Sequence, residues 1–272
     1  MYFAMDEIGF ENMEKIAMID SEPDRWQFIY DTAKGYGFEG IHITPSLYTR
    51  LGLDLNNIPD YFQDFKLSLH LGGLHAIMSE RDTEAFDNEL ENAFEIALKH
   101  NMHDISIHPP VNNDTGFSSD EKKIYEEWFD KAIAKWVKEA VRLNISLSLE
   151  THVTGEFFLF DGLYEYTRFI DRHPDLGVLI DISHNYFDKF SEDDIINILG
   201  NKNIKGLHIS DALQDVDFRK GTHLPVGDGT VDFVKLLDYF KEIPNLYGVL
   251  EIKSGNDGID KSLRKLKNII EK

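Results

Sequence analysis

Short apolar stretches recur along the chain and alternate with longer segments in which apolar residues return every three or four positions. Stretches such as 178–182, in which Asp181 alone interrupts Val, Leu and Ile residues, are typical of strands that helices cover. Eight such stretches predict strands at 2–5, 40–44, 66–71, 104–108, 145–151, 177–182, 204–209 and 248–252. The segments between them predict helices at 24–34, 83–100, 120–143, 163–172, 193–199, 231–241 and 260–270.

The number of these units indicates the fold. Eight strands that alternate with about eight helices over roughly 250 residues predict an α/β fold of the (β/α)₈ TIM-barrel type. A doubly wound sheet of similar length is the competing arrangement, but it does not require eight similar units. Because no linker or low-complexity segment divides the sequence, we expect residues 1–272 to form a single TIM-barrel domain.

The charge balance and the lack of cysteine narrow the chemistry. The 272 residues include 28 Lys and Arg against 49 Asp and Glu, which gives a formal net charge of −21. Proteins that bind nucleic acid need clustered positive charge, so this balance disfavours nucleic acid as a partner. Without cysteine, the chain has no disulfide, thiolate metal site or cysteine nucleophile, and a metal site must use His, Asp or Glu.

The sequence contains no segment that predicts export or membrane insertion. Asp6 and Glu7 come too early for the apolar stretch of a signal peptide to form. No run of about 18 apolar residues could span a bilayer. We therefore expect a cytoplasmic protein with no membrane partner.

Histidines and carboxylates gather at the predicted C-terminal ends of the strands, where the active sites of TIM barrels lie. If the 11 histidines were spread at random over 272 residues, about 1.3 would fall in the roughly 32 strand-end positions of a barrel. Six histidines lie there instead: His42, His70, His108, His152, His184 and His208. This excess indicates a functional site at the barrel mouth.

Three carboxylates converge on the same end of the predicted barrel. Glu150, Asp181 and Glu251 end strands five, six and eight, and their burial together would be costly unless a cation compensates them. With His208, which ends strand seven, they make a ligand set suited to Zn²⁺ or Mn²⁺. We expect these four residues to bind one divalent ion.

The other strand-end histidines allow several interpretations. His70 and His108 are candidates for a second metal site or for substrate contacts. His42 and His152, each taken alone, also fit ordinary hydrogen-bonded residues. His184 should lie on the loop beyond strand six. There it would be a metal ligand, a residue that orients a metal ligand, or a proton shuttle.

An ordered series of motifs marks the same strand ends. The motifs are Ser-Leu-Glu150, Asp181-Ile-Ser-His184, Leu-His208-Ile-Ser-Asp211, His223-Leu-Pro-Val-Gly227-Asp-Gly229 and Val-Leu-Glu251. This series resembles the xylose isomerase-like barrel superfamily, which groups sugar isomerases and epimerases with the endonuclease IV type of abasic-site nuclease. The resemblance covers nearly the whole chain and implies that Glu150, Asp181, His208 and Glu251 bind one divalent metal.

The resemblance implies different chemistry in its two branches. In the epimerase branch, Glu150 and Glu251 also flank the substrate carbon as acid and base, and His184 contacts the substrate. In the nuclease branch, His70 and His108 join Glu150 around another zinc. There, His184, His223 and an aspartate two residues before His223 hold a third zinc. Position 221 is glycine in this chain, so the third site departs from the pattern.

We therefore expect an isomerase or epimerase of a sugar or related hydroxycarbonyl compound, acting by proton abstraction through a metal-stabilised enediolate. Glu150, Glu251 and His184 are the candidate catalytic residues. His223, Lys253 and His152 are the candidate substrate-binding residues. One zinc or manganese ion is expected, and a second, at His70 and His108, remains an alternative.

Other functions stay open from the sequence alone. The alternative enzyme is a zinc phosphodiesterase acting at abasic DNA, which acidic strand-end loops disfavour. A non-catalytic sugar or metal binding module is a third hypothesis. The apolar loop segments 157–160 and 48–51 would wall the substrate pocket, pack locally or form a homo-oligomer contact. The sequence leaves the substrate open, and it does not separate isomerase from epimerase, dehydratase or lyase.

Overall fold

The computed structural model describes residues 1–6, 10–72, 80–112 and 114–271. Eight parallel strands close into a barrel in chain order, and β8 pairs with β1. The strands are β1 (Tyr2–Met5), β2 (Gly40–Ile43), β3 (Lys66–Leu71), β4 (Asp104–Ile107), β5 (Ser146–Glu150), β6 (Gly177–Asp181), β7 (Ile204–Ile209) and β8 (Tyr247–Leu250). The predicted (β/α)₈ TIM barrel is therefore confirmed, whereas the single-domain organisation of residues 1–272 stays a prediction.

Helices surround the barrel. In the described residues they are α1 (Phe10–Ala17), α2 (Glu22–Tyr36), α3 (Pro45–Arg50), α4 (Glu80–Lys99), α5 (Ser119–Leu143), α6 (Leu163–Arg172), α7 (Ile182–Phe187), α8 (Glu192–Leu199), α9 (Phe218–Gly221), α10 (Phe233–Phe240) and α11 (Asn256–Ile270). The longest, α5, starts at a capping box, in which the Ser118 hydroxyl and the Glu121 carboxylate bond each other's backbone N–H. Within the described part of the chain, no helix is long and apolar enough to cross a membrane.

Below the strand ends that carry the predicted site, part of the barrel interior is apolar. Tyr2, Ala4, Leu179, Tyr247 and Val249 form a buried apolar cluster there. Asp104, at the start of β4, accepts hydrogen bonds from the Tyr247 hydroxyl at 2.6 Å and the Ser148 hydroxyl at 2.8 Å. These bonds satisfy a carboxylate that would otherwise be costly to bury. The predicted site lies at the opposite end, where the strands carry imidazoles and carboxylates.

Several strands end earlier than the sequence predicts, which changes how the site residues are held. His108 and Glu251 are the first residues after β4 and β8. His184 is not on a loop, as the sequence predicts, but in the first turn of α7. The helix begins there because the Asp181 carboxylate caps it and accepts the His184 N–H at 2.7 Å.

Candidate metal centre

The ends of four neighbouring strands bring Glu150, Asp181, His208 and Glu251 together. Asp181 and His208 are direct partners in the pairing of β6 with β7. Side chains alternate between the two faces of a strand, so the pairing sends both side chains to the interior. Glu150 ends β5 and Glu251 follows β8. One ligand atom from each of the four lies within 4.8 Å of the others.

The distances within this group match the spacing of metal ligands. His208 Nδ1 lies 3.3 Å from Glu150 Oε1, 3.1 Å from Glu251 Oε2 and 3.9 Å from Asp181 Oδ2. Ligands at about 2.1 Å from a tetrahedral ion are about 3.4 Å from one another. The donor set, one imidazole and three carboxylates, is one that Zn²⁺ and Mn²⁺ accept.

Several atoms of the group have no hydrogen-bond partner among the described residues. They are Glu150 Oε2, Asp181 Oδ2, Glu251 Oε2 and both ring nitrogens of His208. Glu150, Asp181 and His208 are at most 1% exposed, so bulk water does not reach these atoms. A buried polar atom without a partner costs free energy, and a bound cation would remove that cost at each of these atoms. The residues present therefore fit a divalent metal ion.

The electrostatics of the group also favour a positive charge. Burial raises the pKa of Asp181 well above its usual range, and the charges of Glu251 and Glu150 raise it further. Burial alone would lower the pKa of His208, but Glu150 and Glu251 raise it well above its usual range. Three carboxylates around one point thus repel one another and attract a positive charge to their centre.

A second group of possible ligands shares Glu150. Glu150 Oε2 lies 3.1 Å from His108 Nε2 and 3.6 Å from His70 Nε2, whereas Oε1 faces His208. Burial lowers the pKa of His70 to about 3, so its imidazole is neutral and able to bind a metal ion at neutral pH. The two oxygens of Glu150 can therefore serve two neighbouring ions, as the alternative with a second ion requires.

His184 and His223 meet beside the four-residue group. Their Nε2 atoms are 3.1 Å apart, and His184 Nδ1 lies 3.3 Å from Asp181 Oδ2. A Cβ at Gly221 would come within 2.6 Å of Val216 and 2.8 Å of a backbone oxygen, so a larger residue there requires rearrangement. Position 221 thus neither supplies nor readily accommodates the aspartate of the third zinc site in the nuclease pattern.

His152 lies beside His184, and Lys253 lies two residues after Glu251, at the same end of the barrel. The His152 ring is 4.8 Å from the His184 ring and 4.2 Å from the Phe158 ring, measured between centroids. Its Nδ1 accepts the N–H of the next residue at 2.9 Å, and burial lowers its pKa to about 3, so the neutral ring presents Nε2–H as a donor. Lys253 is exposed and donates its backbone N–H to the His223 carbonyl at 3.1 Å.

The two apolar segments pack largely within the chain, and residues 48–50 lie in α3 rather than on a loop as predicted. Tyr48 is fully buried, with its ring 5.7 Å from that of Trp26. In the other segment Leu159 and Phe160 are buried, and Phe157 is 39% exposed. Local packing thus accounts for most of both segments, and a homo-oligomer stays a prediction.

The structure adds residues that the sequence did not single out. Asp211 accepts the N–H of Gly227 at 2.7 Å and of Val231 at 3.1 Å, which fixes the loop that follows His223. Thr151 accepts the backbone N–H of Asp181 at 2.9 Å. A signal for Asp211 was present, because it belongs to one of the motifs. Nothing in the sequence pointed to Thr151.

Comparisons with known proteins agree with the barrel fold. A family model described as a xylose isomerase-like TIM barrel matches residues 30–269. A solved D-tagatose 3-epimerase-like protein has a TM-score of 0.76 at 18% identity, covering 100% of this chain and 97% of that chain. D-psicose 3-epimerase from Clostridium cellulolyticum H10, solved with D-tagatose, has a TM-score of 0.72 at 14% identity, with 100% and 97% covered.

A third solved structure is that of the IOLI protein with a zinc atom bound. It has a TM-score of 0.69 at 15% identity, covering 99% of this chain and 96% of that chain. At such identities these likenesses show the fold alone. No protein of curated function matches the sequence.

Proposed function

Because the chain belongs to the xylose isomerase-like TIM-barrel family, we propose that it is a divalent-metal-dependent isomerase or epimerase of a sugar or related hydroxycarbonyl compound. The observation that carries this proposal is the convergence of Glu150 and Glu251 on His208, with partnerless buried oxygens, at the open end of the barrel. Similar solved structures include a D-tagatose 3-epimerase-like protein and D-psicose 3-epimerase, which supports a sugar as the substrate class.

Glu150, Asp181, His208 and Glu251 would hold the metal ion. A divalent ion bound there supplies Lewis-acid chemistry, which stabilises negative charge that develops on the oxygens of a hydroxycarbonyl substrate. One zinc or manganese ion accounts for the proposed chemistry. His70 and His108, with Glu150 Oε2, would hold the second ion in the two-ion alternative.

The two glutamates are placed for proton transfer. Glu251 has a side chain that is 24% exposed, so it is accessible at the barrel mouth, and we assign it the removal of the proton next to the substrate carbonyl. The electron pair of the broken C–H bond passes to the carbonyl oxygen and gives an enediolate. Reprotonation through Glu150 on the opposite face of the same carbon gives an epimer, and reprotonation of the neighbouring carbon gives an isomer.

His184 connects Glu150 to the rim. Its Nδ1 lies 4.0 Å from Glu150 Oε1, and its Nε2 lies 3.1 Å from His223 Nε2. We assign His184 the transfer of protons between Glu150 and the substrate hydroxyls. The remaining candidates contact substrate: His152 offers a neutral N–H donor, and Lys253 and His223 face the same rim.

Proton abstraction has a direct test that works even when the product is unidentified. The protein, loaded with Mn²⁺ or Zn²⁺, is incubated in D₂O with a panel of ketoses and aldoses, and NMR follows the carbon-bound hydrogens. We expect one sugar to exchange a single hydrogen next to its carbonyl for deuterium as its epimer or isomer appears. The proposal fails if no sugar of the panel exchanges, although the protein binds the metal.

The abasic-site nuclease remains the second candidate because His70, His108 and Glu150 lie together. The charge of the protein argues against this function, since DNA affinity depends on Lys and Arg side chains that neutralise phosphates. Lys122, in the first turn of α5, and Lys189, on the loop after α7, are paired with Asp161 and Asp215. Incision of abasic duplex DNA by the zinc-loaded protein at low salt would favour this function; we expect none.

A further inference from the structure

A chain of hydrogen bonds inside the barrel runs behind His70, on the side away from Glu150. Ser106 Oγ lies 3.0 Å from His70 Nδ1 and 3.1 Å from His42 Nε2. His42 Nδ1 in turn lies 2.6 Å from Ser68 Oγ. All four side chains are at least 95% buried. The chain thus consists of Ser68, His42, Ser106 and His70, and the Nε2 atom of His70 faces Glu150 of the candidate metal centre.

The register of three strands builds this chain. His42 on β2 is the pairing partner of Ser68 on β3, and His70 on β3 is the partner of Ser106 on β4. Each serine therefore stands beside an imidazole of the neighbouring strand, on the inner face of the barrel. The arrangement is fixed by backbone pairing and not by flexible loops.

One assignment of the protons satisfies every bond in the chain. Ser106 has a single hydroxyl proton, which it donates to the Leu69 carbonyl at 3.2 Å. Its oxygen must then accept from both imidazoles, so His70 carries its proton on Nδ1 and His42 on Nε2. The bare Nδ1 of His42 accepts the hydroxyl proton of Ser68. Every group in the chain is satisfied with both imidazoles neutral.

We propose that Ser106, oriented by His42, is a positioning residue that holds His70 in the tautomer whose bare Nε2 faces Glu150. This inference rests on the proposed function in one respect, because the bare nitrogen would bind a cation beside Glu150 Oε2. His70 Nε2 lies 3.6 Å from Glu150 Oε2, a spacing that two ligands of one ion adopt. The other tautomer would place an N–H there and exclude the ion.

The tautomer can be measured directly. Protein with ¹⁵N-labelled histidine, freed of metal, is examined by long-range ¹H–¹⁵N correlation, which distinguishes protonated from bare ring nitrogens. We expect His70 with Nδ1 protonated and Nε2 bare, and His42 with the reverse. In Ser106→Ala and in His42→Phe, we expect a mixture of His70 tautomers. A His70 protonated on Nε2 in the unmodified protein would overturn the proposal.

Ser148→Ala is the matched control. Ser148 is the strand partner of Ser106 and equally buried, but its hydroxyl bonds Asp104 and not a histidine. We expect this variant to leave the His70 tautomer unchanged, although it also loses a buried hydrogen bond. A tautomer mixture of equal size in Ser148→Ala would show that Ser106 has no specific role.

Zinc titration gives a second readout that does not depend on turnover. Loss of a residue that orients a ligand costs about 10- to 100-fold in metal affinity. We expect Ser106→Ala to weaken the second equivalent of Zn²⁺ by that factor and to leave the first within threefold. Equal affinity for the second equivalent in Ser106→Ala and in the unmodified protein contradicts the proposal.

The tautomer measurement separates this inference from the proposed function. The measurement is made without metal. It therefore shows whether Ser106 fixes the tautomer of His70 even if the protein binds no ion and converts no sugar. If the expected tautomers are found and no ion binds, the proposed function fails and the positioning role stands. If the ion binds and His70 is protonated on Nε2, the positioning role fails and the proposed function stands.

Discussion

Glu251→Gln is expected to lower kcat about 1,000-fold on the sugar that the unmodified protein converts, and Glu150→Gln is expected to do the same. A positioned acid or base contributes about 10²- to 10⁴-fold to a rate, and glutamine can neither take nor return a proton at neutral pH. Glutamine has nearly the volume of glutamate and retains one side-chain oxygen. Both variants should therefore keep the barrel while they lose the proton-transfer step.

The measurement is steady-state turnover at saturating metal, with the metal content and the circular dichroism spectrum of each variant recorded beside it. Glu156→Gln is the matched control, because Glu156 is exposed on the loop after β5 and makes the same chemical change near the mouth. It should keep its turnover within about twofold. Full turnover in both Glu150→Gln and Glu251→Gln would refute the assignment of the two glutamates as acid and base.

Removal of the metal ion is expected to abolish turnover and to lower the melting temperature by about 10 °C. An ion present at 1,000 times its Kd stabilises the folded protein by about 4 kcal/mol, and about 2–4 °C of Tm corresponds to each kcal/mol in a chain of this size. The physical reason is the repulsion among Glu150, Asp181 and Glu251, which the ion relieves. Scanning calorimetry before and after chelation, and after Mn²⁺ or Zn²⁺ is restored, measures the change.

Asp181→Asn with His208→Ala provides the control for this effect. The double variant lacks two of the four proposed ligands, so added Mn²⁺ should no longer raise its Tm. Exposed acidic clusters elsewhere on the surface remain intact in it, so non-specific ion binding would still shift its Tm. An equal shift in the double variant and the unmodified protein would show that the ion binds elsewhere.

The order of elements and the composition of the candidate site were predictable from the sequence because both follow from periodicity. Side chains alternate along a strand with a period of two, so a carboxylate at the end of an apolar stretch, such as Glu150 or Asp181, was assigned to the barrel mouth. All eight strands were found, with ends displaced by up to two residues. Such displacements are expected where a loop begins.

The place of His184 could not be predicted by the same reasoning. The sequence predicts a loop, but Asp181 is both a proposed ligand and the cap of α7, and its carboxylate starts a helix directly after the strand. A sequence pattern does not show that one side chain fills both roles. The outcome depends on a hydrogen bond that only the folded backbone allows.

The hydrogen-bond chain behind His70 was equally hidden. Ser68 and Ser106 look like ordinary polar positions on inward faces, and His42 fits a residue with no special role. Their contacts depend on the register between β2, β3 and β4, which no local pattern encodes. The sequence thus identified the residues that face the cavity but not those that orient them.

The central claim is that Glu150, Asp181, His208 and Glu251 hold a divalent ion at the mouth of the barrel. A crystal grown with Mn²⁺ and measured near the manganese absorption edge tests it most directly through the anomalous difference map. We predict a strong peak about 2.1 Å from one donor atom of each of the four residues. A map with no peak among these residues, from crystals in which manganese is present at saturating concentration, would contradict the claim.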